Sequence, residues 1–362
     1  MTLELASAGE SHGPALVAIV SGLPAGLLLD KSAIDADLRR RQQGYGRSPR
    51  QQIETDEVEV LAGLRHGRTL GTPLALVVAN RDHKNWTWGM SPWPPEGEPA
   101  GKGTKRVTLP RPGHADLAGV QKHAHADVRD ALERASARHT AVHVAAGAVA
   151  KALLAAIGVS VAGEALPEDG ADPAAVDAAR KAQDTLGGTA VVRARGVPPG
   201  LGSYARKDDR LDARLAAALM GIQAVKSVEI GDGKELARLR GSEAHDEIYR
   251  DEERGLYRET NRAGGLEGGM SNGEEVVVRC SMKPLPTLMQ PLASVDLDTG
   301  EPATALVERS DVSAVEALAV VAEAAVAWEL ARAAREKFGG DALGDFVAAW
   351  RAYVERIDWR PR

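Results

Sequence analysis

The chain has 362 residues, a formal net charge of −6 and a pI near 5.9, a balance that excludes the broad cationic surface of a nucleic-acid coat. A single cysteine, Cys280, excludes an internal disulfide and a thiolate metal cage. The chain opens with no basic start followed by an apolar run. No apolar stretch reaches the roughly 18 residues of a membrane span, so a cytoplasmic setting without a membrane partner is expected.

In chain order, GESHGP (9–14) places His12 between a serine and a glycine, just ahead of a strand at PALVAIVSG (14–22). KSAIDADLRRRQQG (31–44) reads as a helix that stops at Gly44. It runs into RRRQQGYGRSPR (39–50), which holds five arginines, Arg39, Arg40, Arg41, Arg47 and Arg50. Local positive charge in an acidic chain suits a small anion. PLALVVAN (73–80) reads as a second strand. Residues 82–106 have no periodicity and are rich in Trp, Pro, Gly and Lys, as expected of a functional lid or a disordered segment.

RPGHAD (111–116) sets His114 in a Pro-Gly turn, three residues after Arg111. Histidine holds or releases a proton near neutrality, so His12 and His114 are candidates for proton transfer. His123 and His125 lie two apart without a third ligand of suitable spacing. His139 and His143 lie i, i+4 without the glutamate of a zinc-protease motif and read as structural, so no metal site is expected. In ERASARH (133–139), Ser136 stands as the N-cap of a long helix predicted over 135–158, with Arg134 and Arg138 beside it.

TAVVRARGV (189–197) and EEVVVRCS (274–281) read as strands, and NRAGGLEGGMSNGEE (261–275) as a glycine-rich loop able to lie against something flat. MKPLPT (282–287) is a Pro-stiffened segment after a strand, and ERSD (308–311) brings Arg309 and Asp311 to the start of a predicted helix over 313–340. Ser313 is its expected cap, Glu316 the capping-box partner and Gly339 its terminator; a last helix is expected over 344–357. One internal echo stands out. GLPAGL (22–27) precedes IDADL (34–38) and Gly44, and GVPPGL (196–201) precedes LDARL (211–215) and Gly221, with equal spacing from the last leucine to the glycine. The echo predicts one domain over 1–362 made of two related halves, about 1–170 and 171–362, rather than two separable domains.

No single motif decides a function, but together and in this order they resemble chorismate synthase, over nearly the whole chain. The blocks are GESHGP, RRRQQGYGRSPR, QQIETDEVEVLAGL, RPGHAD, ERASARHTAVHVAAGAVAK, GIQAVKSVEIGDG, NRAGGLEGGMSNGEE, MKPLPT and the segment around RSD. The resemblance implies an α+β fold, a β-α-β sandwich with helices packed between two antiparallel sheets, internal pseudo-symmetry and a homotetramer. It implies a 1,4-anti elimination of phosphate from 5-enolpyruvylshikimate 3-phosphate to give chorismate, with reduced FMN required but no net redox change.

Carried over by matching positions, His12 stands beside the leaving phosphate, His114 near flavin N1, and Asp311 handles a proton at flavin N5. Arg41, Arg47, Arg50, Arg111, Ser136, Arg138 and Arg309 bind the substrate, whose phosphate and carboxylates suit guanidinium forks. The flavin matches Arg134, Ala135, Ser136, Gln223, Ala224, Gly268, Lys283, Pro284, Leu285, Pro286, Thr287 and Arg309, and Arg41 and Arg47 match positions linked with NADP. Whether NADPH reduces the flavin on this chain, or an external reductase does, stays open. Arg39 and Arg40 read as the solvated or inter-subunit side of their helix. One departure is His139, where the family has glutamate, so Ser136 lacks a capping-box partner. Two rivals stand beside this reading: a flavin oxidoreductase with net turnover of an electron donor, and a non-enzymatic phosphate-binding module.

Overall fold

The computed structural model of the chain describes residues 2–47, 55–307 and 310–360. The β-branched runs form the strands expected of them. Strands β1 (Glu4–Ala8), β2 (Ala15–Ser21), β3 (Val58–Ala62) and β4 (Leu74–Ala79) make an antiparallel sheet of order β1-β2-β4-β3. Strands β5 (Ser160–Ala165), β6 (Gly188–Arg195), β7 (Val225–Ile230) and β8 (Val276–Met282) make a second antiparallel sheet of order β5-β6-β8-β7.

The two sheets thus repeat one topology. Helix α1 (Lys31–Gln42) connects β2 to β3, and four further helices bring the chain to the second sheet and across it: α2 (Asp116–His123), α3 (Arg129–Ala135), α4 (Thr140–Ala155) and α5 (Pro173–Lys181). Helix α6 (Leu211–Met220) then occupies the place of α1, between β6 and β7. A single turn, α7 (Gly241–Ala244), precedes β8, and α8 (Val315–Phe338) and α9 (Leu343–Arg356) close the chain. The echo GLPAGL/GVPPGL marks the same turn in each half. Gly22 and Gly196 both have positive φ, and a Cβ on either would meet the backbone oxygen of the residue leading into the first strand of its own half (Thr2 at 2.2 Å, Gly158 at 2.4 Å). Only glycine fits there.

Helix α4 lies against the first sheet, α8 against the second, and the two helices against each other, so the helices fill the space between the sheets. Of the 24 residues of α8, 18 are buried, as a helix in a central layer requires. At the crossing, a Cβ on Gly147 would come within 2.3 Å of the Ala324 Cβ. The Ala, Val and Leu composition is what permits this approach. The sheet faces turned to the helices carry Leu16, Ala18 and Val20 on β2 opposite Val78, Leu76 and Leu74 on β4. Among the described residues, no helix is long and apolar enough to cross a membrane.

Two local expectations are corrected. The helix expected over 135–158 is broken. Ser136 is extended (φ −62°, ψ 140°), its hydroxyl accepts the Arg138 N–H at 3.2 Å, and it caps a short 3-10 turn, Ala137–His139, that leads into α4. The break frees the Ala137 carbonyl to accept from Arg41. Ser313 does not form a capping box with Glu316, because the Glu316 carboxylate instead accepts the Tyr45 N–H at 2.8 Å. Gly339 does terminate α8, with φ 62°. The 82–106 segment is folded on itself: the buried Asp82 carboxylate accepts from Asn85, from the Trp86 indole at 2.9 Å and from Lys102 at 3.1 Å. Burial pushes the Asp82 carboxyl up, but these donors outweigh it and hold it at about 2.

Candidate active site

The ends of many of these elements converge on a cavity of about 430 Å³. The β1–β2 turn contributes Ser11 and His12, the end of α1 contributes Arg41, and the turn that follows α1 contributes Arg47. The turn before α2 contributes Arg111, Gly113 and His114, and the broken segment before α4 contributes Ala135, Ser136, Ala137 and Arg138. From the second half come Ile222, Gln223 and Ala224, the stretch after β8 (Lys283, Leu285, Pro286 and Thr287), and Asp311 ahead of α8.

The polar part of the lining is dominated by guanidinium groups. Arg41 donates to Thr140 Oγ1 at 2.9 Å and lies 3.4 Å from Asp56. Asp56 is shared: it accepts from Arg138 at 2.7 Å, and Arg138 also reaches Asn80. Arg47 pairs with Asp311 at 2.8 Å, while its buried Nε has no hydrogen-bond partner among the described residues. Arg111 donates to Asp116 at 2.9 Å and to Thr287 at 3.0 Å. Among the residues that line the cavity, four arginines and Lys283 stand against one carboxylate, Asp311, with Asp56 and Asp116 behind them. Burial pushes the Arg41 guanidinium down to about 10, with Asp56 opposing and Arg138 and Arg47 reinforcing the shift. Burial likewise lowers Arg47, against Asp311 and Glu316. At about 10 Arg41 stays cationic at neutral pH, and the burial cost of both groups is one that a bound anion would offset.

The two histidines of the cavity are each held by a buried carboxylate at Nδ1. His12 Nδ1 lies 2.9 Å from Glu133, and His114 Nδ1 is hydrogen-bonded to Asp116. Burial alone would raise Asp116, but hydrogen bonds from His114 and Arg111 hold it far below the usual carboxylate range. The apolar part of the lining includes Ile222, Ala224, Met282, Leu285 and Pro286, with Ala224 in the left-handed region (φ 69°) and its carbonyl accepting the Lys283 N–H. A lining that combines apolar side chains with guanidinium groups suits a ring system bearing anionic groups.

A model of the chorismate synthase family matches residues 3–167 and 168–334. The chain belongs to the chorismate synthase family. It is therefore a lyase. The chorismate synthase of Symbiobacterium thermophilum is 53% identical, over 97% of this chain and 98% of that protein. That of Rubrobacter xylanophilus is 54% identical, over 99% and 98%. A crystal structure of chorismate synthase superposes with a TM-score of 0.77 at 35% identity, covering 99% of this chain and 98% of that one. The α+β fold agrees with that structure.

Of the positions matched to chorismate synthase in the sequence, His12, Arg41, Arg47, Arg111, His114, Ala135, Ser136, Arg138, Gln223, Ala224, Lys283, Leu285, Pro286, Thr287 and Asp311 line the one cavity. Arg50 and Arg309 lie outside the described residues. Pro284 is not among the lining residues. Neither is Arg134, which donates to the carbonyls of Ser7 and Gly9, nor Gly268, which sits in the turn between Leu266–Glu267 and Met270–Ser271. Arg40 is not simply solvated. It turns inward to the buried Glu323 at 2.8 Å. His139 finds the Ser7 hydroxyl at 3.0 Å, beside His143.

Sequence reasoning missed Asp56, Asp116, Glu133 and Trp86. For Asp116 a local signal existed, a carboxylate two residues after His114 in a tight turn. Glu133 lies 121 residues from His12, and Trp86 meets His12 only because Asp82 folds the 82–106 segment back.

Proposed function

We propose that the cavity binds 5-enolpyruvylshikimate 3-phosphate beside reduced FMN and eliminates phosphate to give chorismate. The observation that carries this reading is the surplus of buried guanidinium groups beside two carboxylate-held histidines. Arg41, Arg47, Arg111 and Arg138 would clamp the phosphate and carboxylates of the substrate, with Arg50 and Arg309 completing the set. His12 would give a proton to the departing phosphate as general acid. Asp311, paired with Arg47, would hold a proton close to the reacting centre, and His114 would hold one against an anionic edge of the cofactor. The apolar lining of Ala224, Leu285 and Pro286, with Ala135, Ser136, Gln223, Lys283 and Thr287, fits a flavin ring. Bound there, reduced FMN would supply an electron-rich partner that assists loss of phosphate. Exclusion of water from a cleft of fixed positive charge would strengthen every one of these contacts.

The repeated sheet order supports reading the chain as one domain of two related halves. A cytoplasmic homotetramer is part of the same proposal. Val17 and Ile19 lie opposite Val77 and Ala75 on the sheet face turned away from the helices, an apolar surface suited to association. Arg41 and Arg47 would also be the residues near NADPH, should the chain reduce its own flavin.

The test is an anaerobic assay with dithionite-reduced FMN that follows phosphate and chorismate together. Equal release of both, absent with oxidised FMN, is expected. FMN binding without either product would overturn the reading and favour net redox chemistry.

A further inference from the structure

We infer that Glu133 is the positioning residue of His12, fixing the imidazole proton on Nδ1 so that any proton exchanged with a ligand passes through Nε2. The inference rests on the general-acid reading of His12 for its catalytic meaning, but not for its geometry. The Glu133 side chain is 2% exposed, and both of its oxygens are spent on His12 and the residue one turn earlier on its own helix. One oxygen accepts the His12 backbone N–H at 2.9 Å, both lie 2.9–3.0 Å from Nδ1, and Arg129 donates from 3.3 Å. A carboxylate that takes both the backbone and the ring N–H of one residue sets the χ angles as well as the tautomer. Burial pushes the Glu133 carboxyl up, yet the bonds and charge of His12, with Arg129 behind, keep it below its ordinary value. The carboxylate form is thus the one favoured against His12.

The remaining freedom of the ring is removed from the other side. The Trp86 indole stacks on His12 with centroids 4.0 Å apart and planes 19° from parallel. Trp86 is itself held by Asp82, with the Arg129 guanidinium 5.0 Å from its ring centre. His83, from the same segment, donates to the His12 carbonyl at 2.9 Å. His12 is thus gripped at its backbone N–H, its carbonyl, its Nδ1 and its ring face, which is more constraint than a histidine in a surface turn requires. The helix that carries Glu133 also carries Arg129, one turn earlier, so α3 supplies the counter-charge to His12 and a cation against the Trp86 ring that covers it.

The test uses histidine labelled with 15N in the full chain, without substrate or cofactor, at a pH where the ring is neutral. The His12 signals are identified by their loss in His12→Ala, and long-range 1H–15N correlations report the tautomer. The wild-type protein should show Nδ1–H; an Nε2–H tautomer overturns the inference whatever the activity. Glu133→Gln keeps an acceptor and should keep Nδ1–H, whereas Glu133→Leu should revert to Nε2–H. In turnover, Glu133→Leu should lose about 100-fold in kcat with KM within about twofold, and Glu133→Gln should recover much of the loss. If His12→Ala is slow and Glu133→Leu is not, the positioning role fails. If His12→Ala turns over normally, the general-acid reading falls, and the tautomer result still decides the role of Glu133. Should Glu133→Leu not fold, the wild-type tautomer decides alone.

Discussion

Arg40 and Arg41 leave α1 from adjacent positions, about 100° apart around the helix, and meet opposite surroundings. Arg40 joins a cluster in the helix layer. It donates to Glu323 through both terminal nitrogens and to Asp37, and Lys151 bridges the same two carboxylates at 2.6 and 2.5 Å. Two cations meet two anions, and Glu323 also accepts the Gly163 N–H of β5. The hydrogen bond to Glu323 raises the Arg40 pKa against the opposing effect of burial, and Glu323 is held below its usual range. Arg41 enters the cavity, shares Asp56 with Arg138, and is pushed down to about 10. One arginine has its charge answered inside the protein. The other keeps charge in reserve for a ligand. Counting arginines in RRRQQGYGRSPR does not distinguish them; the sign of the pKa shift does.

Substitution should separate the two roles. The largest effect is expected for Arg41→Ala, a loss of about 3 kcal/mol or more in kcat/KM, with thermal stability close to wild type because an imperfectly compensated buried charge is removed along with its contacts. Steady-state kinetics beside a melting curve check both halves; a variant that melts early but turns over normally would place Arg41 among the structural arginines. Arg40→Ala should do the reverse. It leaves Glu323 buried with Lys151 alone and should cost about 2 kcal/mol in urea unfolding, with substrate affinity unchanged.

A third answer to buried charge is to avoid it, and pH should reveal it. Burial, with His143 and Arg134 nearby, pushes His139 down to about 4, and burial lowers His143 too. The folded state therefore binds fewer protons than the unfolded chain between about pH 4 and 6.5. Their contribution to stability should be complete above about 6.5 and lost progressively as pH falls toward 4. Melting temperatures from pH 7.5 to 4.5 should decline over this window, and His139→Gln should flatten the decline. Asp116, Glu133 and Glu323 are also lowered, so the stability they contribute starts to fall only as pH nears the ordinary carboxylate values of 3.8 and 4.5; the decline at the upper end of the window belongs to the histidines. The smallest effect is expected for Asp30→Ala, which removes the side chain that accepts the Ser32 N–H at 2.8 Å and caps α1. Because Arg40 and Arg41 ride on the same helix, a slight fall in melting temperature without change in KM is expected; a large rise in KM would show that the cap holds Arg41 in register.

Much of this molecule was legible from local pattern. The strands at 14–22, 73–80, 189–197 and 274–281 and the helices at 31–44, 313–340 and 344–357 follow from β-branched runs, apolar periodicity and terminal glycines, which act over a few residues. The echo of GLPAGL in GVPPGL was visible because a backbone position that only glycine can occupy, at Gly22 and at Gly196, leaves a mark in sequence. The arginines and histidines of the cavity were visible through their resemblance to a family, residue by residue. What the tertiary structure alone decided was which charge answers which. Glu133 reaches His12 across 121 residues, Arg40 reaches Glu323 across 283, and Trp86 covers His12 through a segment with no periodicity at all. Such partnerships depend on the packing of distant elements, and one carboxylate looks like another until the fold has chosen its neighbours.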